Sequence, residues 1–126
     1  MNDIDNTLKE FDYFHDWHID SIALRGTNPD CPDTVVLSLR LQARRAIVTF
    51  HGMTRLSVDG GDSVNIVLSM ERVHPDTEMW RLAQEQMARC LKDKRTAENV
   101  VLSYPTAGFA IAVEFDSMSV ETMGAG

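Results

Sequence analysis

Cysteine is scarce in this chain of 126 residues: Cys31 and Cys90 stand far apart with no C-x-x-C pairing. Two cysteines are too few for the disulfide framework of a small secreted domain. Both therefore read as free thiols, and the compartment as reducing. The opening Met1-Asn2-Asp3-Ile4-Asp5 is acidic and lacks the basic and apolar regions of a signal peptide. No apolar run approaches the ~18 residues that mark a membrane span. The expectation is a cytoplasmic protein with no membrane contact. No G-x-S-x-G elbow is present, and neither cysteine has a local activating pattern, so nucleophilic catalysis finds little support. Gly60-Gly61 is not followed by the helix and Lys-Ser/Thr of a phosphate loop, which leaves it as a hairpin signal before Ser63. Repeats and low-complexity stretches are absent.

What is present suits one soluble domain over 1–126. Apolar residues make up 44% and charged residues 25%, ordinary values for a globular protein. The net charge of −7 is unevenly spread. Residues 1–33 carry −6; residues 34–58 carry +4 from Arg40, Arg44, Arg45 and Arg55 with no acid; the remainder carries −5. An acidic chain is repelled by nucleic acid at long range, which excludes a general nucleic-acid binder. The arginines of the middle either sit on solvated strand faces or pair with the acidic ends.

Periodicity supplies the elements. Residues 1–13 contain a short helix, with Asp5 able to cap it and Leu8 and Phe11 on one side. His18 to Arg25 reads as a strand, with Ile22 and Leu24 on one face and Ile19 and Ala23 on the other. Val35, Leu37, Leu39 and Leu41 alternate with Val36, Ser38, Arg40 and Gln42, pointing leucines inward and Arg40 outward. Ala46, Val48 and Phe50 face one way in the next strand, and Gly52 interrupts it as a bulge or bend. Arg55–Asp59, then Val64, Ile66, Leu68 and Met70, continue the pattern. Asp76 or Thr77 caps a long helix running to about Lys94, with Met79, Ala83, Met87, Cys90 and Leu91 as its apolar stripe. Asn99–Tyr104 and Phe109–Val120 complete the sheet, and 121–126 reads as a flexible tail. The fold class is α+β: a curved, mostly antiparallel sheet of about six or seven strands with one long helix packed on it, a half-closed barrel being the competing form. An uncovered sheet surface or an open edge strand would allow a homodimer.

Ligand-capable side chains cluster in one place, Phe14-His15-Asp16-Trp17-His18-Ile19-Asp20. In an extended strand His18 and Asp20 share a face, and Asp16 joins them if the segment is fully extended. Imidazole and carboxylate together suit zinc, manganese or iron. Two other readings stand beside a metal site. In one, Asp16 turns the chain while Trp17 packs; in the other, His15, Asp16, Trp17, His18 and Asp20 rim a binding surface. The His15-Asp16 doublet is reminiscent of all-helical metal phosphohydrolases, but the strand-rich pattern here departs from them. His51 and His74 read as structural or solvent-facing.

Three pieces, Phe14-His15-Asp16 followed by Ile19 and Ile22, Ile47-Val48-Thr49-Phe50-His51-Gly52-Met53-Thr54-Arg55-Leu56, and Val101-Leu102-Ser103-Tyr104 leading to Gly108, carry a resemblance. Over roughly residues 11–120 the chain resembles small bacterial immunity-protein-like domains of polymorphic toxin systems. The chain departs from their usual pattern at Trp17 and at Pro105-Thr106-Ala107. The resemblance implies a non-catalytic protein that masks a toxin, with no cofactor. An acidic total would suit a basic toxin, since opposite potentials speed encounter. The competing functions are a small metal-dependent hydrolase using His15, Asp16, His18 and Asp20, and a homodimeric structural or accessory domain.

Overall fold

The computed structural model describes residues 3–28, 31–89 and 96–124. Helix α1 (Asp3–Glu10) and a short 3-10 turn (Asp12–Phe14) lead into β1 (His18–Arg25), β2 (Thr34–Leu41) and β3 (Arg44–His51). Then follow β4 (Arg55–Asp59), β5 (Ile66–Val73), α2 (Glu78–Gln86), β6 (Ala88–Arg89), β7 (Asn99–Ala107), β8 (Ala110–Phe115) and β9 (Ser117–Gly124). The strands join in the order β6-β4-β8-β7-β5-β1-β2-β3-β9, with every pairing antiparallel. β6 is only two residues long, so eight strands carry the sheet instead of six or seven. The sheet is not strongly curled, which corrects the expected curvature.

Two junctions divide it into halves. β1 and β5 share the single ladder pair His18–Ile66. At the other junction the β3–β9 ribbon runs on into β4–β8: His51 pairs with Ser117 and Arg55 with Glu114. Three residues, 52–54, there lie opposite two, 115–116, as in a β-bulge. Gly52 holds φ +67°, and a Cβ on it would lie 2.1 Å from Asp116 Oδ2. The sequence placed a bulge or bend at this glycine, and the ladder bears that out.

One core joins both halves: Val35, Leu37, Leu39, Val48 and Phe50 cluster with Val67, Met70, Val101, Val113 and Phe115. The Phe50 and Phe115 rings lie 4.8 Å apart across the bulge. Helix α1 closes this core with Ile4 and Leu8, held by a two-pronged ion pair from Arg72 to Asp5. A second, smaller core lies on the opposite face of β5, β7 and β8, where Ala83 and Met87 meet Val73, Val100, Leu102 and Ala112.

Several expectations need correction. The long helix to Lys94 is a nine-residue α2, capped by Thr77 Oγ1 accepting from Trp80 N at 3.1 Å and ending where Met87 turns extended. Ala88–Arg89 then pairs with β4, and completing that strand's open edge outweighs helix propensity; residues 90–95 lie outside the described residues. Gly60-Gly61 makes no hairpin, because β4 and β5 are not neighbours. In β5 the register shifts around Val67, burying Val67, Met70 and Val73 while Leu68 is 49% exposed; Pro105 sits opposite Val67 and has no N–H for the ladder. In β1 a shift between Ile19 and Ser21 leaves Asp20 unpaired in the ladder, so Ile19 and Ile22 both face the core. Residues 121–124 are not a tail but the end of β9, paired with β3. Cys31 is disulfide-bonded, against the expectation of free thiols, because a single disulfide needs only two thiols brought together by the fold, whatever their spacing. Cys90 lies outside the described residues. No helix among the described residues is long and apolar enough to cross a membrane.

Candidate functional site

The His15–Asp20 segment is built around an aromatic anchor. Phe11 stacks on Phe14 at 4.8 Å, and Trp17 meets both rings edge-on. Phe14 is fully buried and Trp17 is 2% exposed. The chain reaches this packing through a tight turn with positive φ at Asp12, Tyr13, Phe14 and Asp16. Backbone bonds fasten it to β5 and to the residue before it: Asp16 N donates to Val67 O, Val67 N to Trp17 O and Ile19 N to Asn65 O. The Arg44 guanidinium lies 5.2 Å from the Trp17 ring centroid, within cation–π range.

This turn separates the residues that full extension would have aligned. His15 Nδ1 donates to Leu68 O at 2.8 Å, and its Nε2 lies 3.5 Å from Asp16 Oδ2. The Leu68 carbonyl, then the Asp16 charge, raise the His15 pKa above 6.5. His18 and Asp20 lie elsewhere, on the outer face of β1: His18 is the ladder partner of Arg40, and Asp20 lies 3.4 Å from the Arg40 guanidinium. The left-handed Asp16 breaks the extended arrangement that three ligands required. Among the described residues no group of three His, Cys, Asp or Glu is placed to hold a metal ion. Trp17 is core, so it serves a surface only by anchoring its neighbours.

His18 and Asp20 border a broader feature. The registers align His18, Arg40, Arg45 and Met123 in one cross-strand row, and Ser21, Ser38, Ile47 and Glu121 in the next. Ala23, Val36, Thr49 and Ser119 form a third. All twelve are half-buried or exposed. Helix α1 packs on the core side and α2 on the other half of the sheet, so neither covers this face. Charge is distributed around its margin: Arg25, Arg40 and Arg45 against Asp20 and Glu121. His51 Nε2 lies 3.0 Å from Ser119 Oγ.

Sequence reasoning missed a buried ion pair on the α2 side. Glu114, 1% exposed, accepts from Thr54 Oγ1 and Arg55 Nη2, each at 2.5 Å. Gln84 Nε2 and the Ala97 N–H approach its carboxylate at 3.4 Å. Burial pushes its pKa up, but the hydrogen bonds from Arg55, Thr54 and Ala97 outweigh it, and the net shift is downward. With both carboxylate oxygens engaged, Glu114 is committed to holding α2 and β4 to β8. The available signal was an acid between Val113 and Phe115 in an apolar strand, with Arg55 in the acid-free segment. Arg55–Glu114 and Arg40–Asp20 do join the arginine-rich middle to the acidic ends. No protein-family model, curated protein or solved structure matches the chain.

Proposed function

We propose that this chain is a non-catalytic protein-binding module that engages its partner through the outer face of β1-β2-β3-β9. One observation carries the reading: four neighbouring strands present three cross-strand rows that neither α1 nor α2 covers. Small and aliphatic residues, Ala23, Val36, Ser38, Ile47 and Thr49, occupy its middle, with arginines at the margin. An apolar-to-neutral centre with a charged rim is the usual anatomy of a protein interface. The resemblance over residues 11–120 supports placing the partner among toxins, with the chain acting as an immunity-like protein. The rim is more basic than the whole chain, so the complementary contact surface is acidic, in place of the basic one that the total charge suggested. His18 and Asp20 belong to this surface, with His15 and Asp16 on the adjoining turn.

The test begins with a search for a toxin encoded beside this gene. That toxin is expected to bind the purified chain and to be neutralised by it. Ile47→Lys should weaken binding at least tenfold, about 1.4 kcal/mol, while leaving the circular dichroism spectrum unchanged. No binding and no protection would overturn the proposal. Full protection by the folded Ile47→Lys variant would move the interface elsewhere.

A further inference from the structure

A cleft of about 220 Å³ opens between α2 and the outer face of β4, β8 and β7. Its origin lies in side-chain size. The ladder sets Ser57 against Ala112 and Asp59 against Ala110, and Leu102 follows Ala112 in the same row. Ser103 pairs with Ile111, which brings Tyr104 alongside Ala110. The row Asp59–Ala110–Tyr104 thus has a carboxylate at one side, a phenol at the other and a single methyl between them. Neighbouring strands are ~4.8 Å apart, so Asp59 and Tyr104 stand across a gap about two strand spacings wide. Helix α2 does not fill it. Ala83 and Met87 seat the helix on Val73, Val100 and Leu102, leaving Met79 and Leu82 as the far wall.

The polar groups in this cleft are unspent. Among the described residues neither the Asp59 carboxylate nor the Tyr104 hydroxyl has a hydrogen-bond or ion-pair partner. Burial, then the nearby Glu71 charge, raises the Tyr104 pKa and keeps its hydroxyl protonated. Among the described residues no Lys, Arg or His lines the cleft. Arg81, on α2, is already held between Glu78 and Glu85. Among these described groups an anion finds no counter-charge and has Asp59 against it. A cation would find a free carboxylate and an aromatic ring, both favourable to positive charge. A mostly apolar concavity with a few unpaired polar groups is the common form of a small-ligand site.

We propose that this cleft binds a small amine, an apolar body carrying one ammonium group, with the ammonium on Asp59 and the body between Ala110, Ala112, Met79 and Leu82. The site lies on the opposite half of the sheet from the proposed protein interface and does not depend on it. The probes are 1-aminoadamantane and adamantane-1-carboxylate, which share a rigid apolar body and differ in charge. Methyl NMR of the full chain is the readout. The amine should shift the methyls of Met79, Leu82, Ala110 and Ala112 saturably, and the carboxylate should leave them unmoved. Asp59→Asn, at an exposed position, should weaken amine binding at least tenfold. Ala110→Leu, at a half-buried position, should abolish it by filling the gap. Equal binding of the two probes, binding unaffected by Asp59→Asn, shifts confined to other methyls, or no shift with the amine would each overturn the proposal.

Discussion

The Arg55–Glu114 pair tests how much a single buried charge matters here. Removing one partner strands the other in a site that is 1% exposed, a loss that usually costs about 3–5 kcal/mol. Arg55→Met should therefore lower the urea midpoint sharply. The double variant Arg55→Met/Glu114→Leu should recover most of that loss, since a packed apolar pair replaces a costly ionic one. The pH dependence follows from the sign of the shift. Glu114 has its folded pKa below the ordinary carboxylate value, so its contribution is present above the unfolded pKa and is lost as pH falls through the folded one. Glu114→Gln should flatten the stability curve on that acid side and leave its slope above neutrality unchanged. At this scale the sequence was legible where side chains follow strand phase, as with Leu37 and Leu39, both fully buried. It was not legible at Glu114, whose partners Thr54, Arg55, Gln84 and Ala97 come from three other parts of the chain. An acid in an apolar strand announces burial only when its counter-charge can be placed.

Among the elements, the bulge at Gly52 is the one whose failure would spread furthest. A side chain there would adopt φ +67° and collide with Asp116. Left-handed backbone costs an L-residue roughly 1–2 kcal/mol, and the collision adds to it. Gly52→Ala is expected to destabilise by about 2–3 kcal/mol in chemical unfolding, with the loss of protection in hydrogen exchange centred on 50–56 and 113–118. The strand pattern predicted this bulge because a glycine broke a clear alternation. The shifts in β1 and β5 carried no such mark. Asp20 and Leu68 both look like ordinary members of an alternating strand, and only cross-strand pairing exposes the irregularity. Helix α2 was over-extended for a related reason: its apolar stripe continues past Met87, but the open edge of β4 captures Ala88–Arg89.

For the molecule as a whole, topology decides which surfaces are available. Among the described residues β9 pairs only with β3, and across Ser117–Gly124 its one charged residue is Glu121, with neither Pro nor Lys to discourage further pairing. Weight-average mass in sedimentation should therefore rise with protein concentration. Thr122→Lys, at an exposed position, should hold it at the monomer value; a concentration-independent mass for the unmodified chain would remove the homodimer reading. The uncovered face was foreseeable as a consequence of too few helices, but its location was not, since strand order does not follow chain order. The bulged ribbon has a further consequence, in time instead of space. His51 waits for Ser117 and Arg55 for Glu114, so the corner that unites the two halves forms only after residue 117 has been made. Pairings so distant in sequence make folding slow. During synthesis, β3 emerges with its Ile47-Val48-Thr49-Phe50 edge open long before β9 can close it. The growing chain is thus most prone to aggregate in the interval between translating residue 51 and residue 117.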